Sequence, residues 1–174
     1  MTKSIDLEFE KAIRFLVKYM PVSDKNSRKP ILAHGIRVGV YLYENNYSQD
    51  IIIAGLLHDT IEWSKASKGI IKKEFGNNIT KLILANTKKD SIIDKEEKTN
   101  ELIKRCIKNG QDALIVKTAD IIDSFKWYSK QNNKDQLGYC MRNANAILKF
   151  KPSNFHDNIF GELKKWQKKF NNLS

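Results

Sequence analysis

The sequence predicts an all-α protein, and three observations carry that expectation. Glycine and proline are scarce, 8 and 3 in 174 residues, whereas folds of strands and turns need many tight turns. Apolar residues recur at helical spacing in segment after segment, and capping residues punctuate them. Strand signals are weak, because the β-branched run Ile51-Ile52-Ile53 lies inside a longer helical pattern. The length fits one domain at about 150 residues each and suffices to bury a core without disulfides or a metal as a folding aid.

Each element has its own justification. A first helix is predicted over residues 4–20, where Ile5, Ala12, Ile13, Leu16 and Met20 fall mainly at helical spacing. Residues 21–29 read as a polar loop. Pro30 suits the first turn of a second helix that carries His34, Val38, Tyr41 and Leu42. Ser48 caps a third helix, Asp50 supplies its first-turn acid, and the helix continues to about Trp63. Ser67 opens a short fourth helix that stops at Gly76, and residues 77–86 give a fifth. A sixth spans about 94–108 and ends at the Asn109-Gly110 turn. Residues 111–128 form a long, mostly apolar seventh. Two more are predicted over about 134–150 and, after Pro152, over 153–170. No segment reads as a linker, a repeat or a low-complexity tract.

Composition excludes several classes. Apolar residues make up 41% and charged residues 29%, which argues against global disorder. The longest clean apolar run, residues 51–57, is far short of the ~20 needed to cross a bilayer, so no membrane partner is expected. Asp6, Glu8 and Glu10 interrupt the first twenty residues, unlike a signal peptide. Two cysteines, Cys106 and Cys140, make no disulfide scaffold, so a reducing cytoplasm is the expected setting. The net charge is +11, from 31 basic and 20 acidic residues. It permits an anionic partner, yet the lysines are spread along the chain. The densest group, Lys164, Lys165, Lys168 and Lys169, reads as a solvated helix face.

The chemistry concentrates in Gly55-Leu56-Leu57-His58-Asp59-Thr60-Ile61-Glu62-Trp63. Three ionisable groups sit there in an otherwise apolar helix, and burying them is costly without partners. His58 and Asp59 are adjacent, so on this helix they point ~100° apart and cannot satisfy each other. Glu62 stands one turn on, and Gly55 leaves room for a bulky group. A second anomaly is Asp120, which shares a face with Asp123 in the apolar seventh helix. Two buried carboxylates repel unless a cation lies near. His34, among Ile31 and Val38, is a third. Lys117 is expected to snorkel outward, and Trp63 and Trp127 read as packing residues. His34, His58, Asp59 and Asp120 together supply two imidazoles and two carboxylates from three helices. That donor set suits one divalent ion, manganese first, with magnesium, iron, cobalt, nickel or zinc as alternatives. Glu62 is placed to orient or deprotonate a water there.

The order His34, then His58-Asp59, then a distant Asp120 resembles the HD-domain phosphohydrolase superfamily. A second His-Asp pair, His156-Asp157, lies among polar residues near a helix start and reads as a surface coincidence. Within the superfamily the chain is most like the (p)ppGpp, or alarmone, hydrolases: the hydrolase domain of the bifunctional stringent-response enzymes and the small single-domain hydrolases. The matching pieces are Leu56-Leu57-His58-Asp59-Thr60-Ile61-Glu62, then Phe75-Gly76, and Val116-Lys117-Thr118-Ala119-Asp120. They lie within about residues 10–130. The resemblance implies a single HD-type helical bundle over 1–174, with its metal-site core at about 28–130 and C-terminal helices at 134–170. It implies that His34, His58, Asp59 and Asp120 are the metal ligands, that Glu62 is half of the acidic pair activating water, and that Arg28 and Lys29 contact base or phosphate. Lys117, Asp123 and Ser124 are the remaining candidate substrate contacts. Three departures stand out. Those hydrolases usually have Glu-Asp where this chain has Glu62-Trp63, and Asn where it has Ser124. The loop before His34 is also shorter than in the small hydrolases.

The expected function is metal-dependent phosphohydrolysis of a nucleotide, with 3′-pyrophosphohydrolysis of a (p)ppGpp-like alarmone ranked first. The alternatives are an HD-type 5′-nucleotidase and a non-catalytic HD sensor that binds nucleotide and metal, the latter suggested by Trp63. A basic nucleic-acid-binding helical domain ranks below these, because no recognition-helix signature accompanies the charge. No sequence feature sets an oligomeric state.

Overall fold

Nine α-helices and no strand make up the regular structure of the described residues, 4–171, in a computed structural model of the chain. The chain forms two compact units, one up to Thr87 and one from Lys88 onward.

The first unit holds α1 (Ile5–Tyr19), α2 (Ile31–Glu44), α3 (Gln49–Leu57), α4 (Thr60–Trp63) and α5 (Lys68–Asn86). Helix α3 is its centre. Every residue from Ile51 to Leu57 is buried, and α1, α2 and α5 all pack on it. An apolar helix without a polar face is stable only when surrounded in this way. Glycines bring α2 and α3 close together. A Cβ on Gly35 would stand 2.7 Å from the Leu56 carbonyl oxygen, and one on Gly55 would stand 2.3 Å from Leu42 Cδ1. The room expected beside Gly55 is therefore filled by Leu42 of α2.

The predicted third helix, continuous to Trp63, is instead two. Helix α3 ends at Leu57, Asp59 adopts φ −88° and ψ −3°, and the short α4 follows. The break falls at the ionisable pair. The stop at Gly76 is present as a kink within α5, where φ is +82°, a conformation open to glycine without the Cβ strain other residues meet. Ser4, Ser67 and Asp94 cap their helices by accepting from backbone amides, as their positions suggest.

The second unit holds α6 (Lys95–Lys108), α7 (Gln111–Lys130), α8 (Lys134–Phe150) and α9 (Asn158–Phe170). Here α7 is central. Residues Ala113 to Phe125 are all buried, and α6, α8 and α9 pack on α7. Helix α9 starts five residues later than expected. Asp157 caps it by accepting from the Ile159 amide at 2.9 Å, while Lys151 Nζ donates to the Phe155 carbonyl at 2.9 Å and holds the preceding segment in a turn. The pair His156-Asp157 is thus an exposed residue followed by a helix cap. Among the described residues no helix is long and apolar enough to cross a membrane.

Candidate metal centre

Three donor groups converge in the first unit. His34 comes from α2 and is fully buried; His58 closes α3 and Asp59 opens α4, both buried as well. The His34 and His58 Nε2 atoms face each other at 3.3 Å. Asp59 Oδ2 lies 3.4 Å from His58 Nε2 and 3.8 Å from His34 Nε2. On a helix continuous to Trp63 these adjacent side chains would diverge by ~100°. The break at Asp59 turns their side chains together.

His58 Nδ1 sits 2.7 Å from the Gly55 carbonyl oxygen. A carbonyl can only accept, so Nδ1 carries the proton and the neutral ring has its lone pair on Nε2. Such a bond is the usual way a ligating histidine is oriented. Metal–nitrogen and metal–oxygen distances of ~2.1 Å place two ligand atoms at right angles roughly 3 Å apart. The triangle of 3.3, 3.4 and 3.8 Å fits three neighbouring positions on one ion after slight contraction. Two imidazoles and a carboxylate form a donor set for a divalent transition metal. Of the other expected residues in this unit, Glu62 is half-buried on α4, Arg28 is exposed and Lys29 half-buried. Trp63, expected as a packing residue, is 41% exposed. The Arg28 guanidinium lies 5.9 Å from its ring centroid, a cation–π arrangement.

The second unit carries the other expected residues on α7. Asp120, Asp123 and Ser124 are buried. The cation that the carboxylate pair calls for is present: Lys117 Nζ lies 2.8 Å from Asp120 Oδ2. Lys117 does not snorkel. It is 2% exposed, and its amine also donates to the Tyr139 hydroxyl at 3.4 Å. Burial works against its charge, but the Asp120 carboxylate outweighs this and holds the Lys117 pKa well above the usual lysine value. Ser124 Oγ donates to Asp120 Oδ1 at 3.3 Å. Nearby, burial pushes the Cys106 thiol up to about 12, against the pull of Lys117 and Arg105. It is a protonated core residue, consistent with a donor set free of thiolate. Tyr139 was missed in the sequence, since one tyrosine on an amphipathic helix has no pattern to mark it.

An all-helical fold with a buried His-His-Asp cluster on a helix break defines a class that known proteins share. The HD domain family model matches residues 12–139, and the chain belongs to that family. A solved structure described as a metazoan ortholog of SpoT that hydrolyzes ppGpp superposes with a TM-score of 0.73 at 20% identity, over 97% of each chain. It shows the same fold. The guanosine-3′,5′-bis(diphosphate) 3′-pyrophosphohydrolase of Aquifex aeolicus (strain VF5) is 26% identical over 134 residues, covering 75% of this chain and 19% of its own length. The GTP pyrophosphokinase of Myxococcus xanthus is 31% identical over 104 residues, covering 55% of this chain and 14% of its own. The chain thus spans less than a fifth of the length of these curated relatives.

Proposed function

We propose that the chain is a metal-dependent phosphohydrolase acting on a nucleotide with a 3′-diphosphate, of the ppGpp kind. The observation that carries this is the facing Nε2 pair with Asp59 in a member of the HD domain family. The Aquifex relative, named for 3′-pyrophosphohydrolysis, supports the substrate. In this reading His34, His58, Asp59 and Asp120 hold one divalent ion, manganese first, within a single HD-type domain. When bound, the ion supplies a Lewis acid that offsets phosphate charge and makes water more acidic. Glu62 accepts the proton of the attacking water at a carboxylate oxygen. The water oxygen bonds to the phosphorus beside the 3′ oxygen, the P–O3′ bond breaks, the 3′ oxygen takes up the proton held on Glu62, and pyrophosphate departs from a nucleotide with a free 3′-hydroxyl. Arg28 and Lys29 meet base or phosphate charge, and Asp123 and Ser124 bear on how the ribose and 3′-diphosphate are held. We assign the setting as the cytoplasm, where nucleotide pools are made.

The test is a screen of purified protein with Mn²⁺ against ppGpp, NADPH and common (deoxy)nucleotides, measuring released phosphate and pyrophosphate. Pyrophosphate from ppGpp supports the reading; phosphate from 5′-mononucleotides alone replaces it with a 5′-nucleotidase. A second reading, a sensor that binds nucleotide and metal without turnover, is favoured by one observation. Trp63, where alarmone hydrolases usually have the second acid, is engaged by Arg28. If W63D raises ppGpp hydrolysis tenfold or more, Trp63 is a departure on an alarmone-type site. If no nucleotide is turned over while metal stays bound, the sensor reading takes over.

A further inference from the structure

We propose that Lys117, backed by Tyr139, is a positioning residue that orients Asp120 as a metal ligand. The proposal rests on the reading that Asp120 ligates the ion, and it concerns groups that all lie in the second unit. A fully buried ammonium is rare because losing its water is costly. Nor is a buried ion pair a reliable source of stability, since replacing both partners by apolar groups is often neutral or better. A lysine kept at 2% exposure on the central helix therefore points to a task beyond stability.

The geometry supplies the task. Lys117 and Asp120 are one turn apart on α7, so the ammonium reaches the carboxylate without leaving the helix surface. Nζ holds Oδ2 at 2.8 Å, and Ser124 Oγ holds Oδ1 at 3.3 Å. With a donor on each oxygen, the carboxylate cannot swing about its terminal torsion, which is soft in an unheld aspartate. A carboxylate has about four acceptor sites, so both oxygens keep lone pairs for an ion. Tyr139 fixes the lysine in turn. Its hydroxyl is 3.4 Å from Nζ, and its ring centroid 5.9 Å from the same atom. Helix α8 thereby sets the orientation of a side chain on α7. Because the amine is buried and engaged by both partners, Lys117 acts through Asp120 and not by touching a phosphate.

The test measures Mn²⁺ binding to the metal-free full chain by calorimetry, for wild type, K117M, Y139F, D120A and H58A, with electron paramagnetic resonance of the bound ion. K117M is expected to weaken Mn²⁺ binding by ~10-fold or more, the usual effect of removing a group that orients a ligand. Its Mn²⁺ spectrum should change line shape, which a purely structural role would not produce. Y139F should weaken binding by a few-fold, in the same direction. If K117M does not fold, Y139F decides. Unchanged or tighter Mn²⁺ binding in the folded variants, with D120A weakened, overturns the proposal and leaves Asp120 a ligand. If H58A loses the ion while D120A binds as wild type does, the ligand assignment of Asp120 falls, and the proposal with it.

Discussion

Helices α3 and α7 pose the same problem and solve it differently. Each is the apolar centre of its unit, packed on by three other helices there, and each carries ionisable residues where water is excluded. Helix α3 solves it by stopping. At His58-Asp59 the backbone leaves the helix, and the two side chains and His34 meet within 3.8 Å. Helix α7 runs unbroken for 20 residues and carries its own counter-charge one turn away, Lys117 for Asp120. A break lets adjacent residues converge on one point, which metal chelation requires. A continuous helix can only pair residues three or four apart, which suits holding one carboxylate in place. The difference lies between assembling a donor cluster and orienting a single donor.

The largest expected effects test the break. H58A removes one of two facing imidazoles and should abolish Mn²⁺ retention after dialysis, by metal analysis. EDTA should lower the melting temperature of metal-loaded wild type, because the ion binds only the folded chain, and should leave H58A unmoved. Equal metal content in the two proteins retires the cluster as a metal centre. E62Q keeps the fold and the metal but should lose ~100-fold in turnover, the scale of general acid–base catalysis. A wild-type rate would make Glu62 a packing residue.

The contrast between α3 and α7 also explains what could be read from sequence. Helix positions followed from apolar spacing and from polar residues at helix starts, which act locally: Ser67 accepts from a backbone amide of its helix, and Ser48 occupies the cap position of α3 without a side-chain cap bond. The ligand types were legible because a histidine or aspartate inside an apolar run is costly and therefore conspicuous. The helix break that brings His58 and Asp59 together was not, since it depends on one ψ angle near zero at Asp59, which no residue type there demands. The partner of Lys117 was missed for a related reason. An outward path along the helix and an inward pair with Asp120 use the same spacing, and burial by α8 and its neighbours decides between them.

Smaller effects separate how the two units pack. In the first, a Cβ on Gly35 would meet the Leu56 carbonyl oxygen at 2.7 Å. Backbone cannot yield as a side chain can, so G35A should cost roughly 1–3 kcal/mol, the range for overpacking. In the second, Gly161 lies within α9 with nothing within 4 Å of the added Cβ. G161A should therefore stabilise by roughly 0.5–1 kcal/mol, the helix preference for alanine over glycine. Urea midpoints for both variants check the opposite signs. A stabilised G35A would mean that α2 and α3 have room to separate.

The smallest effect compares surface ion pairs. In the first unit Arg14 and Glu10 pair on α1, both well exposed, and such a pair contributes little. In the second, Glu101 is three-quarters buried between two cations. Lys89 Nζ lies 2.7 Å and Arg105 Nε 3.1 Å from its Oε1, and Arg105 Nη2 donates to Oε2 at 3.1 Å. Burial raises the Glu101 pKa, but the hydrogen bonds from Lys89 and Arg105 outweigh it and hold the value below that of an ordinary glutamate. A carboxyl depressed in the folded state stabilises the fold above its unfolded pKa, ~4.3. That contribution falls away as pH drops through the folded value. At neutral pH, E101Q should therefore cost about 0.5–1 kcal/mol, the upper part of the range for such pairs, while E10Q should cost nothing measurable. The gap between wild type and E101Q should shrink as urea melts are taken progressively below pH ~4.3. A gap that stays constant down to the acid limit would show that Glu101 acts through packing and not through its charge.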